Sequence, residues 1–554
     1  MKIPGFLVAP VLIVFAASVA RAEETALARY DDFAAGLRAT AAASNGAASV
    51  AVIGKSSEGR EILAVAIGLG EGADGRPALL VIGGVEGDQP AGAELAAALV
   101  TDLATAKDER TRKLLAERTV YVIPRLNPDG LERFFAPLRR ADAGTARAWD
   151  EDRDGAADED GPDDLDGDGA IAWMRVEDPA GEWVADATDA GLMRRANAAK
   201  GERPTHRILV EGRDDDGDGA WNEDGPGGID LNSSFTWNYR PHAARTGPYQ
   251  MSEPEARALA DFVIAHPNIE AAFTFASNDN CVRQAAPAAP PDPLPGVPSP
   301  LVALDPADTL HFARAAELYR GALGRDRADA GPLRDGGVAE WLYFHRGILS
   351  LASPGWSVPA KHEKSPEGVH EDGKAKDERA AFRWLRANRA EAWVEWRAVE
   401  HPDFPGKKVE VGGWRAWARE PAPAAEMPAL VLKHGEFARR LLEQFPRIGI
   451  RETKVKALGE GLWEVVATVF NDGELPTALS HGTRSGRARA VRVDLVLDGA
   501  TLVSGKDVTL VKALTALNGQ SELRWVVKGP AGARVSVKAE TDKAGQAEWS
   551  GELK

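Results

Sequence analysis

Two stretches of this chain repeat a spacing of carboxylates that suits a hard cation. Residues 150–162 and 214–226 both read Asp-x-Asp-x-Asp-Gly-Ala-x-[Asp/Asn]-Glu-Asp-Gly-Pro. Oxygens at positions 1, 3 and 5 converge on one point while the glycine at position 6 makes the sharp turn, which is the logic of a calcium loop. The usual Glu at position 12 is Gly161 or Gly225, so Glu159 and Glu223, or Asp160 and Asp224, are left to close the ring. A third, overlapping run, Asp164-Leu165-Asp166-Gly167-Asp168-Gly169, has Arg175 at position 12, a poor ligand. The candidate calcium ligands are Asp150, Asp152, Asp154, Asp158, Asp160, Asp164, Asp166, Asp168, Asp214, Asp216, Asp218, Asn222 and Asp224. The plainer reading is a solvated acidic run. A spacing that recurs, and the mutual repulsion of so many carboxylates without a counterion, favour structural calcium.

A second group of polar residues sits where a buried strand ends. Ala78-Leu79-Leu80-Val81-Ile82 runs into Gly83-Gly84-Val85-Glu86-Gly87-Asp88-Gln89-Pro90-Ala91-Gly92, and further on come Asn127-Pro128-Asp129-Gly130 and Gly228-Ile229-Asp230-Leu231-Asn232. With Gly54-Lys55-Ser56-Ser57-Glu58-Gly59-Arg60 near the start, these landmarks resemble, in order, the zinc carboxypeptidase (M14) family. The resemblance covers roughly residues 25–400. It implies an α/β fold with a mixed sheet and helices on both faces, and a hydrolytic zinc held by two His and one Glu with an open position for water.

Carried over position by position, that chemistry is missing. The first His and the Glu fall on Glu86 and Gln89, and the second His falls on Ala276, give or take one residue. The carboxylate base falls near Gly355. The Asn-Arg pair that grips a substrate's terminal carboxylate is Asn232-Ser233, so the bidentate guanidinium is gone. Gly336-Gly337-Val338-Ala339-Glu340-Trp341 matches a Gly-Gly-x-x-Asp-Trp signature, and counting back four from Gly336 puts the family's mobile Tyr at Pro332. Glu86 and Asp88 offer oxygens, but carboxylates without imidazole or thiolate make a weak and unselective zinc site. His345 is the nearest histidine in sequence. The bland reading of Glu86 and Gln89 is that they rim an open cleft.

These residues must be positioned by alternating strands and helices. Residues 27–45, 91–103 and 252–265 read as helices, and 50–54, 62–67, 79–82, 119–124 and 271–275 as strands, which argues for a mixed α/β sheet. Seven prolines in 285–300 mark an extended loop. Residues 362–379 read as a solvated excursion and 380–396 as a helix. Beyond about residue 401 comes a linker with a helix, and 447–554 carries alternating runs expected to form a separate C-terminal β-sandwich.

The chain has 554 residues, enough for two or three domains. Its net charge is −17, and 150–168 and 214–224 hold seventeen acids between them, so the excess is local. Nucleic-acid binding is excluded on that balance. Residues 1–22 read as a secretory signal ending in Ala20-Arg21-Ala22, which makes the expected location periplasmic or secreted, with no stable membrane insertion after cleavage. A single cysteine, Cys281, allows no internal disulfide. The favoured reading is an exported carboxypeptidase-like protein without zinc catalysis that binds a peptide or cell-wall-derived peptide in the old cleft. The alternatives are a working metallocarboxypeptidase with replacement ligands and a calcium-stabilised structural or adhesive protein.

Overall fold

The computed structural model describes residues 27–554, except 73–74, 139–141, 151–154, 156, 159, 162, 187–188, 190, 218, 220, 222–227, 286–302, 326–327, 329–330, 360–372 and 416. The signal-like segment 1–22 and the proline-rich run lie outside or largely outside the described residues.

The strands are β1 (Ala48–Lys55), β2 (Glu61–Ile67), β3 (Ala78–Ile82), β4 (Thr119–Ile123), β5 (Trp173–Glu177), β6 (Trp183–Ala185), β7 (Met193–Arg195), β8 (His206–Val210), β9 (Ile269–Phe275), β10 (Leu349–Ser353), β11 (Trp393–Val399) and β12 (Val409–Trp414). The helices are α1 (Tyr30–Ala43), α2 (Pro90–Ala104), α3 (Glu109–Glu117), α4 (Pro128–Glu132), α5 (Pro254–Ala265), α6 (Thr309–Leu323), α7 (Val338–Phe344), α8 (Gly373–Asn388), α9 (Met427–Glu443) and α10 (Ser480–Arg484).

The main sheet runs β1-β2-β4-β3-β9-β10. β1, β2 and β4 pair antiparallel, while β4, β3, β9 and β10 pair parallel. β3 and β4 are buried at every position, as parallel strands covered on both faces must be. The two-residue period divides the core. Leu79 and Val81 pack with Leu95 and Leu99 of α2, Tyr319 of α6 and Phe437 of α9. Leu80 and Ile82 pack with Leu259 and Phe262 of α5 and Leu342 of α7. Helices therefore cover both faces, as the resemblance implies.

A second sheet, β11-β12-β5-β8-β6-β7, stands beside the first. Alternation on β5 places Met174 and Val176 in a small core with Val409, Val411 and Phe404, and turns Trp173 the other way, where it is 42% exposed. The helix expected over 380–396 ends at Asn388, and Trp393–Val399 is β11. The reason is pairing: β11 lies antiparallel to β12, with Trp393 opposite Trp414, and its β-branched and aromatic residues suit a pleated surface better than another turn of helix. Part of the expected solvated excursion, from Gly373 on, is the start of α8.

The C-terminal part consists of β13 (Ile448–Gly459), β14 (Leu462–Asn471), β15 (Val491–Asp498), β16 (Thr501–Ser504), β17 (Val508–Val511), β18 (Gly519–Lys528), β19 (Arg534–Thr541) and β20 (Gly545–Glu552). They form two four-stranded antiparallel sheets, β13-β14-β18-β16 and β17-β15-β19-β20, around a shared core that includes Val465, Val493, Trp525 and Val537. This β-domain is tied to the main sheet by polar bonds. Asp308 accepts from the backbone N–H groups of Ser480 (2.7 Å) and His481 (3.0 Å) at the start of α10. Lys543 reaches the carbonyl of Gly347 (3.2 Å) and lies 3.6 Å from the buried Glu270.

Candidate functional site

The cleft lies at the carboxyl ends of β3 and β9. β3 ends at Ile82, and Gly83 and Gly84 turn the chain against the β4 side. A Cβ on Gly83 would meet the Pro124 carbonyl at 2.7 Å, and Gly84 has φ +58°. That close turn sets Glu86 at the sheet edge, 1% exposed. β9 delivers Ser277 to the same point. Its N–H donates to Glu86 Oε2 at 2.7 Å and its hydroxyl to Glu86 Oε1 at 2.5 Å.

A guanidinium occupies the centre. Arg334, from the loop ahead of α7, lies 3.1 Å from Glu86 Oε1 and donates to Ser277 Oγ at 2.7 Å. It also pairs with Asp230 and donates to Ser233 Oγ at 3.3 Å. Asp230 is fixed in turn by the backbone N–H of Asn232 (2.8 Å) and by the Ser233 hydroxyl (3.1 Å). Burial raises the pKa of Glu86, and the neighbouring Asp230 adds to this, while Arg334 and Ser277 oppose it. Asp88, next along, is raised to about 7 by burial and by Glu86, Asp230 and Asp142, with Arg245 opposing.

The other family positions serve structure. Asn232 is fully buried, and it accepts from the Val338 N–H (3.1 Å) and donates to Asn278 (3.4 Å), so neither end of its amide is turned to a ligand. Glu340 accepts from Asn278 (3.1 Å) and the Arg334 N–H (3.2 Å), and burial lifts it to about 8. Ala276 is 1% exposed and offers a methyl group where the second histidine would stand. Gly355 has φ +77°, and a Cβ there would fall 2.6 Å from the Phe275 ring, so no carboxylate base fits that backbone unchanged. His345 holds Thr236 Oγ1 at 2.5 Å and takes no part in the cleft network. Gln89 lines a neighbouring groove with Asp88.

These residues do not fit the family's zinc. Glu86 is committed to two donors on Ser277 and to Arg334, and among the described residues no imidazole joins it. Among the described residues, the one group of three His, Cys, Asp or Glu whose ligand atoms lie within 4.8 Å of each other is elsewhere: Asp164, Asp166 and Glu211. Arg334 escaped the sequence reading because it lies two residues beyond the expected Tyr position. The signal was available in principle, since a carboxyl buried at Glu86 is stabilised in its charged form by a cationic side chain beside it.

At the acidic loops the structure brings together part of the expected set. Asp164 accepts from the N–H groups of Gly169 (2.7 Å) and Asp168 (3.1 Å), which folds the third run into a tight loop. Glu211, which the spacing did not single out, approaches from the end of β8 and accepts from the N–H groups of Leu165 (2.9 Å) and Ala172 (2.8 Å). Asp168 is turned to Arg415 at 2.8 Å, outside the trio. In the first loop, Asp150 accepts from the Gly155 N–H at 3.0 Å, Asp158 has φ +57° and Asp160 is fully buried. In the second, Asp214 accepts from the Gly219 N–H at 3.2 Å, and Asp216 is exposed. Asp152, Asp154, Asp218, Asn222 and Asp224 lie outside the described residues.

Comparison with known proteins agrees with this architecture. A family model described as zinc carboxypeptidase matches residues 34–348, more than half of the chain. One described as a domain of unknown function (DUF8731) matches residues 447–551. No curated protein matches. Among solved structures, thrombin-activatable fibrinolysis inhibitor is 13% identical, with 58% of this chain and 65% of that one covered and a TM-score of 0.37, so just under two thirds of that protein is spanned. Carboxypeptidase A from Helicoverpa armigera is 13% identical (66% and 75% covered, TM-score 0.36), and a metallo-carboxypeptidase from Burkholderia cenocepacia 16% identical (57% of each chain, TM-score 0.30). From the extent of the family match and the order of its landmarks, this chain belongs to the zinc carboxypeptidase family.

Proposed function

We propose that this protein is an exported member of the family that has given up zinc-dependent hydrolysis and uses the residual cleft to bind a peptide or a cell-wall-derived peptide. One observation carries the reading: the Arg334 guanidinium lies among Glu86, Asp230 and Ser277, the place where the family's metal would be bound. A fixed cation there supplies no open coordination position and lowers no water pKa. The side chain of Arg334 remains 31% exposed, which leaves it able to face a bound anion such as a peptide carboxylate.

The same reading assigns calcium a structural part. The trio Asp164, Asp166 and Glu211 supports it, because three carboxylate oxygens close together in a half-buried loop repel one another unless a cation joins them. Calcium here would stiffen the loops beside the second sheet and take no part in chemistry.

The test is metal analysis combined with a peptide-cleavage assay on the purified full chain. The expected result is calcium without stoichiometric zinc and no release of C-terminal residues. Cleavage that a chelator abolishes and zinc restores would defeat the reading.

A further inference from the structure

Beside the cleft, the exposed face of the second sheet forms the wall of a groove of about 530 Å³. Trp173, Trp183, Trp393, Trp396, Trp414 and Trp417 line it, and Asp88 and Gln89 open it onto the cleft. The sequence shapes this wall deliberately. Gly413, at φ +84°, lies under the indoles, where a Cβ would meet Trp396 at 3.3 Å and Trp173 at 3.7 Å. Trp393 and Trp414 pack edge to face with centroids 4.9 Å apart, and both are braced by the buried ring of Phe382.

Three residues lining this groove carry a buried polar atom without a hydrogen-bond partner: Arg415 Nε, Trp417 Nε1 and Glu420 Oε2. The indole Nε1 of Trp417 is buried with no hydrogen bond, in a residue only 7% exposed. Three residues on, Glu420 Oε2 is buried and likewise without a bond. Trp417 also holds φ +68°, a conformation a bulky side chain adopts at a cost, and such strain concentrates where a ligand is held. An unmet buried donor and an unmet buried acceptor are each expensive, and a ligand that satisfies both gains from each.

We propose that this groove binds a pyranose oligosaccharide, its ring faces stacked on the indoles and its hydroxyls bonded to Trp417 Nε1 and Glu420 Oε2. The proposal rests on the ligand-binding reading above and extends the bound molecule from a peptide to one that carries, or consists of, a glycan.

Three observations select this chemistry. First, mostly apolar aromatic walls with a few fixed polar groups describe a site for a small or narrow ligand. Second, a cationic ligand is disfavoured because the chain's own arginines hold the cation seats. Arg175 stands 4.5 Å over Trp396 and Arg195 5.1 Å over Trp183, and Arg415 and Arg419 line the groove. Third, a hydroxyl both donates and accepts, so one chemical group serves the indole N–H and the carboxyl oxygen together. A proline-rich peptide would supply acceptors for the first and few donors for the second. Burial and the adjacent Asp88 hold the Glu420 pKa well above the usual carboxylate range, so the carboxyl presents a donor as well as an acceptor, a pair that a neutral hydroxyl satisfies.

The test is a titration of the purified full chain, followed by tryptophan fluorescence and calorimetry. The probes are the N-acetylglucosamine tetramer, cellotetraose, maltotetraose and a proline-rich decapeptide. The expected result is saturable binding of at least one saccharide with a dissociation constant below about 1 mM. Trp173→Ala, at an exposed position, is expected to weaken it about tenfold, with the melting temperature measured alongside to confirm that the variant is folded. The proposal is overturned if no saccharide saturates, if the decapeptide alone binds, or if binding survives both Trp173→Ala and Trp414→Ala. Titration reads binding and the cleavage assay reads hydrolysis, so the failure of one is distinguishable from the failure of the other.

Discussion

Arg334 Nη1 lies 3.1 Å from Glu86 Oε1, and the same guanidinium pairs with Asp230. Glu86 comes from the end of β3 and Asp230 from the loop after β8, so one side chain bridges two carboxyl groups that the fold brings to the same point. With Glu86 2% exposed at its side chain, neither water nor salt can take over that task.

Removing Arg334 therefore strands charge. Arg334→Met is expected to lower unfolding free energy by about 3–5 kcal/mol, the usual cost of breaking a buried pair from one side. The double variant Arg334→Met, Glu86→Gln is expected to recover a large part of this. Denaturant unfolding of the two single variants and the double gives the coupling directly. Additive losses would show that the pair is not coupled.

The buried carboxyl of Glu340 gives stability a pH slope. Below about pH 4.5 it is protonated in both the folded and unfolded chain, and its contribution is nil. Between there and about 8 the unfolded chain has released the proton while the folded one still holds it. The folded state then binds more protons, so stability falls as pH rises through this window and levels off above it. Melting temperatures measured from pH 5 to pH 8.5 are expected to fall less steeply in Glu340→Gln than in the parent.

The loop trio predicts a calcium-dependent melt. Addition of calcium to chelator-treated protein is expected to raise the melting temperature, since ligand at about 100 times its dissociation constant stabilises by about 2.7 kcal/mol. Glu211→Gln keeps one of the two backbone bonds its carboxylate accepts and removes the charge. It is expected to reduce the calcium-induced increment by at least about half, and an equal increment in both proteins would place the ion elsewhere.

Gly92 separates packing from helix preference. It lies in the first turns of α2, where a Cβ would come within 2.5 Å of Phe275 Cβ on β9. Alanine is the better helix former by about 1 kcal/mol, yet overpacking costs about 1–3 kcal/mol. Gly92→Ala is expected to destabilise the protein, as read by chemical unfolding, and a gain in stability would show that α2 can shift away from the sheet.

Five of the six main-sheet strands were legible because they are apolar and bounded by Gly and Pro, and because the motif order fixes their sequence; β10 was not read as a strand. Glu86, Gln89 and Asn232 were found at the expected strand and loop ends for the same reason. The second sheet was not legible. Its strands are three to seven residues long, and β5 lies inside a stretch dominated by acidic spacing. β11 continues directly from a helical pattern, and periodicity over so few residues cannot separate strand from helix. Arg334 and Glu211 were missed for another reason: their partners lie far away in sequence, Glu86 for Arg334 and Leu165 and Ala172 for Glu211, and nothing local marks those partnerships.

The ion pair of Lys543 with Glu270 and the hydrogen bonds from α10 to Asp308 have a consequence for anyone dividing this chain. Glu270 is raised to about 7 by burial and only Lys543 opposes it. A gene cut near residue 446 would leave that acid facing a bared apolar floor, so the amino-terminal fragment should aggregate rather than report on ligand binding. Grafting a different tail onto this scaffold would have to carry a matching lysine and a matching helix start, which makes the terminal fifth a fitted lid to the enzyme-like body rather than an interchangeable appendage.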